Sequence, residues 1–279
     1  MIANLSSLLK KAEQKNYAVG AFNAFNLETI EAIVRAAERL RSPIILQLTE
    51  GDLEYCGFDQ TAALALYRAK HASVPVCVHF DHGKSPASVK RAVAAGFPSA
   101  MFDGSALEFN ENVRQSRQTV STCRPKGVSV ELEIGRLAGK EDYVSEVKSV
   151  FTPPEAAAEF EQLTKPDALA VSVGTSHGWH SQKERLDLAL LKKIDAVTKA
   201  PLVLHGTSGL PDSMVRKAVN AGVRKLNVKT QLHDAFNAAV KKKLEAGETD
   251  SRKCLAAGRD AAQEVVEKRI RLCGSAGKA

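Results

Sequence analysis

Residues 75–105 read PVCVHFDHGKSPASVKRAVAAGFPSAMFDGS and contain a complete strand–helix–strand unit. The apolar run at 75–81 predicts a buried strand, PASVKRAVAAG at 86–96 predicts an amphipathic helix, and 99–105 predicts a second strand. Strands that are separated by a crossover helix run parallel in one sheet. This unit therefore predicts a parallel α/β fold.

The same alternation continues along the whole chain, with helical patterns such as LETIEAIVRAAERL at 27–40 and PDSMVRKAVNAG at 211–222 between the strands. Eight strand–helix units in 279 residues fit a TIM (β/α)8 barrel best. A doubly wound sheet is the alternative, but it more often has fewer strands and a GxGxxG near its first turn, which this sequence lacks. The eight predicted strands are 17–23, 43–49, 75–81, 99–105, 128–135, 168–175, 201–207 and 225–230.

Three segments lie outside the repeating units. A short amphipathic helix is predicted at 1–16, and an extra C-terminal helix at 260–272 follows the helix after the last strand. The long irregular segment at 136–153 is rich in Gly, Lys, Glu and Asp, and loops of this length are often active-site lids. We find no linker and no low-complexity segment, which predicts a single domain over residues 1–279.

The composition narrows the class of partner. The formal charge of +7 favours anionic partners, but the basic residues are dispersed and aromatic residues are only 5% of the chain, which argues against nucleic acid. Five scattered cysteines without a CxxC pair predict reduced thiols in a cytoplasmic protein. No apolar run approaches 18 residues and the N-terminus lacks a signal-peptide pattern, so no membrane association is expected.

Polar residues stand at the predicted C-terminal ends of the strands, where TIM barrels place their chemistry. His82, His177 and His205 lie at three such ends, each beside a glycine. One such histidine is more simply interpreted as a hydrogen-bonded core residue. Three at equivalent positions favour a catalytic zinc site, which commonly uses three protein ligands and one open position.

The other histidines receive weaker interpretations. His79 shares a strand face with Asp81 and is predicted to support the site or to contact substrate. His180 is an alternative ligand close to His177. His71 and His233 are predicted to be surface or helix residues without a catalytic role.

Carboxylates near these histidines are candidates for proton transfer. Asp81 precedes His82 and could move a proton to or from a substrate hydroxyl, although an aspartate that holds a histidine is the alternative. Glu131 and Glu133 share one strand face, where inward carboxylates need a partner, so Glu133 is a candidate metal ligand. Residues 140–142, in the predicted lid, could bring an acid or base over the site or could form a solvated charged loop.

Two motifs indicate a phosphate site. HGTSG at 205–209 and NVKT at 227–230 follow the seventh and eighth predicted strands. Barrels often bind phosphate there through backbone N–H groups near a helix start.

Taken in order, AFNAFNLETI, VHFDHG, MFDGS, VGTSHG, LVLHGTSGL and KLNVKT resemble the class II ketose-bisphosphate aldolases over nearly the whole chain. The resemblance implies that His82, His177 and His205 bind a catalytic Zn²⁺, with Glu133 close to a second metal position. It implies that Asp81 exchanges a proton with the C4 oxygen and that Glu141, on the lid, exchanges the proton of the enediolate carbon.

The resemblance also implies a substrate site and an assembly. Asn23 and Asn227 would steady the enediolate oxygens, a monovalent cation would lie near Gly178 and Gly206, and the protein would be a homodimer or homotetramer. Arg259 stands where fructose-bisphosphate enzymes hold the distal phosphate, and a helix-surface cation that pairs with Asp260 or Glu264 is the alternative. The implied substrate-binding residues are Asn23, Thr49, Gly178, Gly206, Thr207, Ser208, Asn227, Val228, Lys229, Thr230 and Arg259.

The expected activity is cleavage of a ketose 1,6-bisphosphate, fructose 1,6-bisphosphate first, to dihydroxyacetone phosphate and an aldehyde such as glyceraldehyde 3-phosphate. Tagatose 1,6-bisphosphate or another ketose phosphate is the alternative, because departures from the family pattern at Thr49 and Lys140 lie near the substrate. A metal-dependent isomerase and a non-catalytic sugar-phosphate-binding barrel are rivals of other kinds.

Overall fold

Eight parallel strands close into a barrel in the computed structural model, which describes residues 1–141, 144–147, 150–178 and 186–279, without the side chains of 138–141, 144–147 and 177. Every neighbouring pair in the barrel is parallel, so the predicted TIM barrel is confirmed. In order around the barrel, the strands are β1 (Val19–Asn23), β2 (Ile44–Thr49), β3 (Val76–Gly83), β4 (Ser99–Phe102), β5 (Ser129–Ile134), β8 (Ala168–Val171), β10 (Leu202–Leu204) and β11 (Val223–Val228).

Helices surround the barrel and include the predicted N-terminal helix and the extra C-terminal helix, which extends well beyond its predicted start. The helices are α1 (Leu5–Lys15), α2 (Leu27–Arg39), α3 (Glu50–Tyr55), α4 (Phe58–Lys70), α5 (Pro86–Ala94), α6 (Phe109–Cys123), α7 (Pro154–Thr164), α8 (Leu188–Val197), α9 (Asp212–Asn220), α10 (Thr230–Glu245) and α11 (Ser251–Cys273).

The sequence predicted an irregular segment at 136–153, but the structure contains strands there. It contains β6 (Ala138–Glu141) and β7 (Val144–Val147), which pair antiparallel, and β6 also pairs with β9 (Ser176–His177). Thr152 anchors the end of the segment, because its hydroxyl donates to the carbonyl of Ile134 at 2.7 Å. The segment is therefore tied to the mouth of the barrel beside β9.

Local sequence signals explain where several helices begin. The Asn26 side chain accepts a hydrogen bond from the Thr29 N–H and starts α2 with a capping box. Ser85 caps α5 in the same way, and Pro86 follows at the first helical position. Such caps satisfy N–H groups that have no partner inside the helix, and each stabilises it by about 1 kcal/mol.

The inside of the barrel is apolar at one end and polar at the other. Leu5, Leu9 and Ala12 of α1 pack against inward side chains such as Ala21 and Val203 and fill the apolar end. Farther along the same strands, inward positions carry polar and charged side chains that are almost fully buried. Buried polar groups need partners, so this end of the barrel is where a site is expected. The inward polar residues are Asn23, Gln47, Thr49, His79, Asp81, Ser99, Glu131, Glu133, Lys225 and Asn227.

The cysteines form no disulfide. All five are free, Cys56 is exposed and the others are buried. Burial raises the pKa of Cys77 to about 12 and that of Cys123 to about 11, so these thiols are protonated at neutral pH. Across the described helices, none combines the length and apolar character that a membrane span requires.

Candidate active site

A β-bulge in β3 lets the neighbouring side chains of Asp81 and His82 reach the same site. Consecutive residues of a regular strand point to opposite faces of the sheet. The pairing of β3 with β4 shifts register between Phe80 and Gly83, and His82 has a left-handed backbone with φ of 52°. Such a conformation is uncommon for a residue other than glycine and is often found at functional sites. The bulge thus lets two neighbouring side chains serve one site.

Two imidazole rings meet at the mouth of the barrel. His82 Nε2 lies 3.0 Å from His205 Nδ1. On the far side of each ring, the second nitrogen contacts a buried carboxylate: His82 Nδ1 lies 3.1 Å from Asp103 Oδ2, and His205 Nε2 lies 2.9 Å from Glu131 Oε1.

Both carboxylates are ionised. Burial alone would raise the pKa of Asp103, but His82 and Lys84 hold it well below its usual value. Burial would likewise raise the pKa of Glu131, but Lys225 and His205 lower it to about 2. An ionised carboxylate only accepts hydrogen bonds, so each histidine must donate from the nitrogen that faces its carboxylate.

In the neutral form of both rings, the two facing nitrogens are the lone-pair nitrogens. Burial lowers the pKa of His205 to about 4, so this ring is neutral at neutral pH. Two facing lone pairs at 3.0 Å repel each other, and a cation beside them or the amide of Asn227, whose Nδ2 lies 3.0 Å from His205 Nδ1, offsets this repulsion. This arrangement fits a metal ion, and ligand atoms of Asp81, His82 and His205 all lie within 4.8 Å of one another.

Asp81 is held by a chain of amides. Gln47 Nε2 donates to Asn23 Oδ1 at 2.7 Å, and Asn23 Nδ2 donates to Asp81 Oδ2 at 2.9 Å. The second oxygen, Asp81 Oδ1, is buried and has no hydrogen-bond partner among the described residues. Burial would raise the pKa of Asp81, but His82, Lys225 and His205 lower it below its usual value. The result is a fixed carboxylate with one oxygen available to a ligand.

Glu133 belongs to a second group of potential ligands. Its carboxylate, His82 and Asp103 place one ligand atom each within 4.8 Å of the others. Asp103 thus contacts His82 and also belongs to this second group. Glu131 and Glu133 are both buried, and each lies near a strand-end histidine, Glu131 near His205 and Glu133 near His82.

A cavity of about 480 Å³ opens above these groups. It brings together strand-end residues with side chains from the first turns of α3 and α10. Most of the predicted substrate residues line it, whereas Thr207 and Val228 are buried and are not among its lining residues. The lining residues are Asn23, Thr49, Glu50, Asp81, His82, Lys84, Gly178, His205, Gly206, Ser208, Asn227, Lys229, Thr230, His233, Asp234 and Asn237.

The loop after β10 has the features of a phosphate site. Gly206 has φ of 63°, and a Cβ there would collide with the backbone of Ser176, so glycine is required. Arg269 of α11 is buried behind the loop and donates from Nη2 to the carbonyl of Ser208 at 3.0 Å. Thr230 opens α10, whose unpaired N–H groups and positive dipole end favour an anion.

Several predicted residues stand apart from this cluster. The side chains of His177 and Glu141 and the whole of His180 lie outside the described residues. Arg259 lies on α11, where its Nε donates to Asp260 at 2.8 Å, and it is not among the residues that line the cavity of its own chain. The helix-surface pairing that the sequence offered as the alternative is thus present in the single chain.

Some residues of the site have no counterpart among the sequence predictions. His233, predicted to be a surface or helix residue, lies in α10 but lines the cavity, with Nε2 3.2 Å from the Asn23 carbonyl. Asp103 belongs to the MFDGS motif, and its position directly after a strand could have indicated that it belongs to the site. Lys225 precedes Asn227 by two residues on the same strand face, and alternation alone could have placed it inside the barrel.

Comparison with known proteins agrees with this geometry. The family described as "Fructose-bisphosphate aldolase class-II" matches residues 3–278, and the chain belongs to that family. Its members are lyases that act on phosphorylated sugars, and they are typically metal-dependent.

Solved structures give the same result. The YdjI aldolase from Escherichia coli K12 is 33% identical, with a TM-score of 0.91 and coverage of 100% of both chains. A Coccidioides immitis chain proposed to be a fructose-1,6-bisphosphate aldolase is 31% identical, with a TM-score of 0.91 and coverage of 99% of this chain and 97% of its own. Fructose-bisphosphate aldolase from Campylobacter jejuni shares the fold, with 22% identity, a TM-score of 0.85 and coverage of 100% and 97%.

Proposed function

We propose that this protein is a zinc-dependent aldolase that cleaves fructose 1,6-bisphosphate to dihydroxyacetone phosphate and glyceraldehyde 3-phosphate. The observation that carries the proposal is the pair of facing ring nitrogens on His82 and His205, beside the fixed carboxylate of Asp81. Such a donor set suits a divalent metal next to a proton-transfer group.

The metal position would be held by His82, His205 and His177, with Glu133 near a second position. Imidazole nitrogen is a preferred zinc ligand, and three protein ligands leave room for substrate. Bound zinc would act as a Lewis acid that stabilises negative charge on the ketose oxygens as the C3–C4 bond breaks.

The residues of the chain would do the rest of the chemistry. Asp81 would take the proton of the C4 hydroxyl through Oδ1, the oxygen that has no hydrogen-bond partner among the described residues. Asn23 already contacts Asp81 and would keep the carboxylate in place. Asn227 would steady the enediolate oxygens, and Glu141 would exchange the proton on the enediolate carbon from above.

The phosphate of the dihydroxyacetone half would sit at the loop after β10 and the start of α10. Gly206, Ser208 and Thr230 line this part of the cavity and offer backbone N–H groups and hydroxyls. A monovalent cation near Gly178 and Gly206 would add positive charge there. We further propose a cytoplasmic homodimer or homotetramer.

A coupled assay tests the function directly. The protein, loaded with zinc, is offered fructose 1,6-bisphosphate, tagatose 1,6-bisphosphate and ketose 1-phosphates, and released dihydroxyacetone phosphate is reduced enzymatically with NADH. Fastest turnover of fructose 1,6-bisphosphate is expected. Faster cleavage of tagatose 1,6-bisphosphate or of a monophosphate would reassign the substrate, and no release from any of them would refute the aldolase.

Arg259 provides a test of the distal phosphate. Its guanidinium would bind that phosphate in a neighbouring subunit. Arg259→Ala should therefore lower kcat/KM for the bisphosphate by an amount that corresponds to a loss of about 2–3 kcal/mol of transition-state stabilisation, the size of a charged hydrogen bond. Cleavage of a ketose 1-phosphate should change little. Asp260→Ala, which removes the partner of Arg259 within its own chain, is the control. Equal losses on both substrates would show that Arg259 supports the fold or the interface instead.

A further inference from the structure

A lysine–glutamate pair is completely buried in the middle of the barrel. Lys225 of β11 and Glu131 of β5 are both inaccessible to solvent, and Lys225 Nζ lies 2.8 Å from Glu131 Oε2. Desolvation of two charges costs several kcal/mol for each ion, and a hydrocarbon pair would fill the same space at lower cost. The pair therefore needs a reason other than packing.

The contacts of Glu131 suggest that reason. Its two oxygens have different partners: Oε2 faces Lys225, and Oε1 accepts from His205 Nε2 at 2.9 Å. The His205 ring is thereby held with Nδ1 toward His82, at 3.0 Å. A continuous line of contacts thus runs from Lys225 through Glu131 and His205 to the candidate metal position.

A neutral imidazole carries its proton on one nitrogen only, and the hydrogen bond at one nitrogen decides which nitrogen keeps a lone pair. Glu131 accepts a hydrogen bond from the protonated Nε2, so Nδ1 keeps the lone pair that can bind a metal. Without an acceptor at this position, the ring could turn over or change tautomer, and the lone pair would point away from His82.

Lys225 helps to keep the Glu131 carboxylate oriented toward His205. His79 is a competing partner, because its Nε2 lies 3.5 Å from Glu131 Oε2. Lys225 contacts the same oxygen at the shorter distance of 2.8 Å and so competes with His79 for it. The other oxygen, Oε1, stays oriented toward His205.

We propose that Lys225 and Glu131 are positioning residues that fix the orientation and tautomer of His205, so that Nδ1 is presented to the metal. The inference rests on the proposed metal site at His82 and His205. It assigns no covalent chemistry to Lys225, whose ammonium group is engaged by Glu131 below the cavity.

The experiment measures zinc affinity by competition with a chromophoric chelator, together with the urea unfolding midpoint of each zinc-loaded protein. Glu131→Met removes the charge and both acceptor oxygens and keeps nearly the length of the side chain. Zinc affinity should fall by about 10–100-fold, the usual effect of removing a carboxylate that orients a metal-binding histidine. In the cobalt-substituted protein, the visible absorption bands should shift, because they report ligand geometry.

A double variant separates positioning from stability. Lys225→Met leaves the charge of Glu131 buried without its cationic partner and should lower the unfolding midpoint markedly. Combining Lys225→Met with Glu131→Met removes both charges, so the midpoint should recover while zinc affinity stays as weak as in Glu131→Met. Glu267→Met is the matched control, since Glu267 is a buried glutamate that pairs with Arg39 and Arg271 away from the cavity. It should leave zinc affinity unchanged.

The outcomes separate the two proposals. If the unaltered protein binds no zinc, the proposed function fails. If it binds zinc and Glu131→Met binds equally well, the positioning role is refuted. Recovery of affinity together with stability in the double variant would also refute it, because the pair would then act only through the fold. The double variant contains no buried unpaired charge from this pair, so it keeps the test valid even where a single variant fails to fold.

Discussion

Replacing His205 with alanine should abolish both zinc binding and cleavage. Its Nδ1 is one of the two ring nitrogens that face each other at 3.0 Å, and alanine removes it from the proposed ligand set. Loss of Lewis-acid stabilisation worth several kcal/mol corresponds to a fall in kcat of about 10³-fold or more. Metal content by mass spectrometry and the coupled aldolase assay measure the two effects on one sample.

His71→Ala is the control for this experiment. His71 is exposed at the end of α4 and its Nδ1 contacts the Tyr67 carbonyl, so its replacement should leave zinc content and turnover unchanged. Treatment of the unaltered protein with a chelator should reproduce the loss seen in His205→Ala. Full activity of metal-free protein, or inactivation by borohydride in the presence of substrate, would instead indicate a lysine Schiff base.

Asp81→Ala should keep zinc but lose catalysis. The carboxylate is fixed by Asn23 and has one oxygen without a hydrogen-bond partner among the described residues, which suits proton transfer. Removing a general acid–base group lowers kcat by about 10²–10⁴-fold. The KM should change far less than kcat, because the role is exercised in the transition state. Steady-state kinetics and metal analysis are the measurements.

Asp81→Asn refines this second prediction. Asparagine can still accept the hydrogen bond from Asn23, so the structure around it is retained while the proton acceptor is lost. Both variants should therefore be similarly slow. Because ligand atoms of Asp81, His82 and His205 lie within 4.8 Å of one another, Asp81 is also placed to bind metal. Loss of zinc from both variants would show that it is a ligand and not the proton carrier.

The sequence predicted the barrel because its signal repeats. Apolar runs and helix-period stretches alternate eight times, and each unit is a local pattern that needs no knowledge of distant residues. The segment at 136–153 was mispredicted since its Gly-rich, charged composition hides the pairing of β6 with β7. The helix α3 was missed because it has only six residues and begins with a capping box between Thr49 and Asp52.

The sequence predicted which residues stand at the strand ends, but it did not predict which of them contact one another. Strand-end histidines and Asp81 could be identified from position alone. The contacts of His82 with Asp103 and of His205 with Glu131 join strands that are far apart in sequence, so no spacing rule reveals them. Strict alternation would even have separated Asp81 from His82. The bulge in β3 brings Asp81 and His82 together, and no pattern in the sequence predicts it.

The division of the cavity between strands and helices has a consequence for protein engineering. The groups assigned to metal binding and proton transfer come from the barrel strands and their ends, whereas Glu50 of α3 and His233 and Asn237 of α10 stand at the rim. Substitutions at these three positions change the lining of the cavity without replacing a residue of the buried polar layers. Libraries at Glu50, His233 and Asn237 are therefore a way to vary the substrate range while the residues assigned to the reaction are kept.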